Sequence, residues 1–167
     1  METILAVDPS LRSTGYAILC RDTKVRCLRF GTIRSTAALC LSRCLLSIHQ
    51  NIAQLIMEYS PVSLAVEAII FVQNHRTAIN MGGVHGAVLL SAAEQGLPVH
   101  EYAPRKVKQA VVGYGTAEKY QVAFMVRSIL GLAETPPKDV ADAMAVGLCH
   151  FQANSAALFI GQPSPLV

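Results

Sequence analysis

The chain has no tryptophan, only 6% aromatic residues and only 15% charged ones. So little charge, set against 52% hydrophobic residues, excludes a disordered polypeptide held open by solvation and supplies ample material for a core. Long apolar runs are also missing. Gly, His, Ser, Asn or a charge interrupts each candidate before the roughly 18 residues that a membrane-spanning helix needs. Neither a basic opening nor a small-residue cleavage site flanks the first apolar run, Ile4 to Val7, so the expectation is a cytoplasmic protein. The five cysteines (Cys20, Cys27, Cys40, Cys44, Cys149) include no CxxC pair, and their odd number excludes a closed disulfide framework. Cys40 and Cys44 stand at helical spacing, but no His pair accompanies them as a zinc site would require. Core packing is their expected role.

What is present reads as one α/β domain. The 167 residues suffice for a single domain over 1–152, with 153–167 expected to form a loose C-terminal tail. Residues 3–8, 14–20 and 24–34 read as three strands joined by short turns, an antiparallel meander. From Ala37 to Tyr59, Leu41, Leu45, Ile48, Ile52, Leu55 and Ile56 recur at helical spacing. A short apolar run from Val62 ends in Glu67. A helix is expected from Arg76 to Gln95, where Gly96-Leu97-Pro98 stops it, with Gly82, Gly83 and Gly86 placed for close packing. Val99 to Tyr102 is a fifth strand. A short helix from Pro104, a helix that Thr116 caps and a last helix from Thr135-Pro136-Pro137 to about His150 complete the order. The expected architecture is a five-stranded mixed sheet flanked by helices.

The acids carry the functional signal. Asp8 and Glu67 each end an apolar strand, where rigid strands aim side chains into a shared crevice. Asp139 and Asp142, three apart, project from one face of an otherwise apolar helix. Taken singly, Asp8 before Pro9-Ser10 also suits a turn, Asp139 a helix dipole and Glu67 a surface position. Together, four acids meeting in space would repel one another unless cations intervened. Hard oxygen donors select Mg²⁺, with Mn²⁺ as a substitute, over zinc. Two such ions roughly 4 Å apart would stabilise the attacking and leaving oxygens of a phosphodiester. The net charge of +3 is a mild bias, but Arg105, Lys106, Lys108, Lys119 and Arg127 gather in one stretch.

Four stretches resemble the RuvC-type Holliday-junction resolvases of the RNase H-like superfamily: Leu5 to Tyr16, Ala65 to Glu67, Leu97 to Lys119 and Asp139 to Val146. The similarity runs from Ile4 to about Gln152, and its third stretch is long and specific to the family. The resemblance implies an RNase H-like fold, a homodimer and a structure-selective endonuclease that resolves four-way DNA junctions by paired nicks in recombination and repair. It implies catalytic, Mg²⁺-binding carboxylates at Asp8, Glu67, Asp139 and Asp142, with Lys119 and Lys108 approaching the cut backbone. Arg105, Lys106 and Arg76 are candidate phosphate contacts. The branch-migration proteins RuvA and RuvB are implied partners. Two departures stand out. Ser10 replaces a usual glycine, and Phe71, a candidate for stacking at the junction core, comes one position late, with Ile70 in the usual aromatic place. The rival readings are a YqgF-like RNA-processing nuclease and a non-catalytic junction-binding protein; the Arg105-to-Lys119 stretch favours the resolvase over the first, and the full set of acids speaks against the second.

Overall fold

The structure, a computed structural model, describes residues 1–70 and 74–160. Among these residues the chain runs β1 (Glu2–Asp8), β2 (Ser13–Arg21), β3 (Val25–Arg34), α1 (Leu41–Tyr59), β4 (Ser63–Glu67), α2 (His75–Ala93) and β5 (Val99–Tyr102). It continues with α3 (Pro104–Val112), α4 (Lys119–Leu130) and α5 (Lys138–Ile160). The strands form one sheet in the order β3-β2-β1-β4-β5. The meander β1-β2-β3 is antiparallel, while β4 and β5 add in parallel to β1. This is the mixed five-stranded sheet expected from the sequence.

Position in the sheet explains composition. β1 and β4 lie in its interior, covered on both faces, so they are apolar without a break. Ile4, Leu5, Ala6, Val7, Leu64, Ala65 and Val66 are all fully buried. The period of two then sorts them between two cores. Ile4, Ala17, Leu19 and Ala65 meet α3, α4 and α5, whereas Leu5, Val7, Ile18, Leu64 and Val66 meet α1 and α2.

Four local expectations need correction. α1 starts at Leu41 rather than near Ala37, because a turn over residues 37–39 delivers Cys40 as its N-cap. α4 is capped by Glu118, not Thr116: the Glu118 side chain accepts from the backbone N–H of Gln121, and the Gln121 side chain accepts from the N–H of Glu118. α5 runs to Ile160, ten residues past His150. Nor do all three α2 glycines mark close packing: a Cβ on Gly82 or Gly86 would meet nothing within 4 Å, and one on Gly83 would make only ordinary contact with Leu45.

α5 is the axis of the fold. Val140, Ala141, Ala143 to Val146 and Leu148 to Phe151 are buried, the composition of a helix apolar all round. It lies so close to the sheet that a Cβ on Gly147 would come within 2.5 Å of Leu19 Cδ1 and 3.0 Å of Ala6 Cβ. Such an interior admits polar groups only when they are paired. His150, fully buried, shows how: Ser63 Oγ (3.2 Å) and Asn154 Nδ2 (3.0 Å) both approach its Nε2, and Tyr102 Oη lies 2.9 Å from Nδ1. With Asn154 donating to Nε2, the ring proton sits on Nδ1 and points at Tyr102.

Burial, reinforced by His100, pushes the His150 pKa from 6.5 down to about 4. A histidine depressed in the folded state leaves the unfolded chain binding the extra proton below 6.5. Its contribution to stability is therefore whole above pH 6.5 and is lost as the pH falls towards 4. The expected loss is roughly 3 kcal/mol, at 1.36 kcal/mol per pH unit. Urea unfolding of wild type and His150→Gln between pH 7 and 4 checks it: the wild-type minus variant difference should shrink over that window, and a constant difference would refute the assignment.

Candidate active site

β1 and β4 run side by side in parallel, with Val7 paired to Val66. The next residue of each strand is an acid. Because Val7 and Val66 face α1 and α2, Asp8 and Glu67 turn to the opposite side of the sheet, the side that α5 covers. Across the antiparallel ladder Asp8 pairs with Gly15. A Cβ on Gly15 would overlap the Asp139 carbonyl, so the bare glycine lets the first turn of α5 rest on β2. α5 opens with the Ala141 N–H bonded to the Pro137 carbonyl, which places Asp139 and Asp142 in its first two turns. Three elements thus deliver four carboxylates to one end of the sheet.

The charges feel one another. The Asp8 pKa is pushed up to about 7, first by burial and then by Asp142, Glu67 and Asp139, with Lys119 opposing. Glu67 is raised by burial and by Asp142, with Lys119 and Lys108 opposing. Lys119 Nζ donates to Asp142 Oδ2 at 3.1 Å. Desolvation works against the Lys119 charge, but that bond and the fields of Asp142, Asp8 and Glu67 outweigh it and raise its pKa. Asp139 has a partner of another kind, the Ser13 hydroxyl, which donates to Oδ2. As the side chains stand, no three His, Cys, Asp or Glu residues among the described ones are arranged to hold a metal ion. The donor set nevertheless fits a hard divalent cation in kind: it is all carboxylate, and burial together with neighbouring acids raises the pKa of both Asp8 and Glu67.

Asp8, Asp139, Asp142 and Lys119 line a cleft of about 460 Å³. Its remaining wall comes from the loop after β1 (Pro9 to Arg12), Lys138, and Thr77, Asn80 and Met81 of α2. Sequence reasoning missed Arg12, Ser13 and Lys138 here. The available signals were the position of Arg12 in the loop after an acid-ended strand, the two-residue step from Ser13 to Gly15 on β2, and the adjacency of Lys138 to Asp139. The other expected contacts lie outside this lining. Lys108 acts on Glu67 through its charge. Arg105 and Lys106 are exposed on α3, with Lys106 Nζ 5.3 Å from the centre of the Tyr102 ring. Arg76 is exposed in the first turn of α2, where Asn74 caps its backbone N–H. Phe71 lies outside the described residues. Ile70, in the usual aromatic place, is 61% exposed.

A mixed sheet in this order, with acids at the ends of two parallel neighbours and on the helix across them, defines a nuclease of the RNase H-like class. Comparison with known proteins narrows it. The family profile for crossover junction endodeoxyribonuclease RuvC matches residues 4–150. The Akkermansia muciniphila member is 51% identical over 148 residues, covering 88% of this chain and 89% of that one. The Moorella thermoacetica member is 45% identical over 149 residues, with 88% and 89% covered. Among solved structures, Thermus thermophilus RuvC in complex with Holliday junction substrate superimposes with a TM-score of 0.90 over all of both chains, at 32% identity. The yeast mitochondrial Holliday junction resolvase shares the fold, with a TM-score of 0.60 at 12% identity over 95% of this chain and 86% of that one. The chain belongs to the RuvC family of crossover junction endodeoxyribonucleases.

The raised Asp8 pKa has a sign that stability can read. A carboxyl with a folded pKa above its ordinary 3.8 holds its proton more tightly in the folded chain. Below pH 3.8 it contributes nothing; between 3.8 and about 7 stability falls as pH rises, and above 7 the penalty is complete. Asp8→Asn removes the charge, so in EDTA at pH 8 the variant should exceed wild type by up to about 4 kcal/mol, and the gain should vanish at pH 4. Chemical denaturation at the two pH values measures it; a variant no more stable at pH 8 would mean that the repulsion is relieved in another way.

Proposed function

We infer that this chain cuts four-way DNA junctions by hydrolysing phosphodiesters with Mg²⁺ held by Asp8, Glu67, Asp139 and Asp142. The observation that carries this reading is the electrostatic coupling of those four carboxylates with Lys119 at one end of the sheet. When bound, two cations would activate a water and stabilise the leaving oxygen, giving 5′-phosphate and 3′-hydroxyl ends. The protein's own part is to set these acids on rigid strands and a buried helix before any substrate arrives. Lys119, kept protonated by its acidic neighbours, brings a positive charge to the reacting phosphate as negative charge grows there. Lys108 stands behind Glu67 with the same sign. Arg105, Lys106 and Arg76 hold the DNA backbone without reading its bases.

The proposed assembly is a homodimer, since two equal sites suit a junction with near two-fold symmetry and allow symmetric paired nicks. α2 offers a surface for it. Ile79 (70% exposed) and Leu90 (53%) flank Gly82 and Gly86, where no described residue lies within 4 Å of an added Cβ. These residues share one helix face, and the glycines permit close approach of a second backbone. RuvA and RuvB, the branch-migration proteins, are the proposed functional partners, acting with this protein in cytoplasmic recombination and repair.

Two experiments test the reading. A labelled synthetic four-way junction incubated with wild type should show paired nicks in Mg²⁺ and none in EDTA. Asp142→Asn should bind the junction but cut roughly 10²–10³-fold more slowly, the usual cost of removing one group that stabilises a transition state; the variant also loses the ion pair with Lys119. Binding without nicking by wild type would leave a non-catalytic junction-binding protein, and activity on RNA alone would leave an RNA-processing nuclease. Separately, Ile79→Glu with Leu90→Glu should move the sedimentation coefficient from that of a dimer to that of a monomer; an unchanged dimer would place the interface elsewhere.

A further inference from the structure

Asp139 is gripped by β2 at two points. Its backbone carbonyl lies against Gly15, where no Cβ fits, and its side chain accepts the hydroxyl proton of Ser13 on Oδ2. Ser13 and Gly15 are two apart on one strand, so both face α5. The grip matters because a first-turn aspartate has another use for its carboxylate, the backbone N–H groups at the start of its own helix. The bond to Ser13 instead draws Asp139 sideways onto the sheet, beside the cleft it lines with Asp8 and Asp142. Only one of its oxygens is engaged by a hydrogen bond among the described residues. Asp142 is held by Lys119, a charge that an incoming cation would compete with; Asp139 is held by a neutral hydroxyl that need not leave.

We propose that Ser13 is a positioning residue for the carboxylate site, its hydroxyl fixing the Asp139 side chain on β2 with the second oxygen turned to a divalent cation. The proposal rests on the reading of Asp8, Glu67, Asp139 and Asp142 as the cation site. Partners that orient a ligating carboxylate are worth roughly 10–100-fold in metal affinity.

The test is Mn²⁺ binding to the full chain without DNA, followed by the electron paramagnetic resonance signal of the free ion. Ser13→Thr keeps the hydroxyl, and Ser13→Val matches threonine in shape without it; both are β-branched and suit a strand. Threonine should bind Mn²⁺ within about twofold of wild type, and valine and Ser13→Ala about tenfold more weakly. The Thr–Val pair keeps the test decisive if alanine disturbs the strand. Equal affinity for threonine and valine overturns the positioning role while leaving the cation site intact. Loss in both also overturns it, because strand packing rather than the hydroxyl would then be responsible. Failure of wild type to bind Mn²⁺, with Asp8→Asn as control, removes the cation site and the role of Ser13 with it.

Discussion

The approach of α5 to the sheet is the constraint on which the site depends. Side chains normally hold a helix well off a sheet, yet Gly15 and Gly147 remove the Cβ atoms that would strike the Asp139 carbonyl and Leu19. The two contacts lie about two turns apart on α5, so they fix its height and its direction together. At the Gly147 end the result is core. At the Gly15 end, the same closeness places acids beside acids. Neither Asp139 nor Asp142 is a strand residue, and without this contact they would have no fixed relation to Asp8 and Glu67.

That relation works against folding. Burial first and the neighbouring carboxylates second work against the Asp8 charge, and its raised pKa reflects both. The chain offsets this locally with a lysine on Asp142 and a serine on Asp139. Neither gives Asp8 or Glu67 a hydrogen-bonding partner among the described residues, so these two acids keep an unmet demand for a positive ligand. No second cluster of opposed acids like this one occurs elsewhere among the described residues. The buried polar side chains around His150 are paired. Like charges collected at one end of a fold are what a functional site looks like when stability is given up for chemistry.

Much of this was legible in the sequence, for reasons that differ by residue. The strands at 2–8 and 63–67 could be read because interior parallel strands must be apolar throughout, and the acids that end them stand out against such runs. Helix boundaries were harder. Thr116 is a good cap by type, but Glu118 with Gln121 satisfies two backbone groups at once, and only the path of the chain decides between them. The sequence puts the end of α5 near His150 because Gly161, Pro163 and Pro165 suggest a loose tail, yet no glycine or proline lies between Phe151 and Ile160 to stop the helix. Ser13 gave no signal by itself: a serine on a strand is unremarkable until the helix it touches is in place. The α2 glycines point in the opposite sense, since poor helix formers suggest tight packing within the chain, and no described residue lies within 4 Å of a Cβ built on two of them.

α2 joins the two halves of the functional reading. At 100° per residue, Thr77, Asn80 and Met81 lie on the side of the helix that turns to the cleft and core. Ile79, Gly82, Gly86 and Leu90 lie on the other. One rigid rod therefore carries a wall of the carboxylate cleft on one face and the proposed pairing surface on the opposite face, with no hinge between. Pairing through that face would set the separation and relative direction of two clefts by helix packing rather than by loops. A nuclease that must place two nicks symmetrically about a branch point needs that property, because paired cuts are useful only when the spacing of the sites matches the DNA and does not drift.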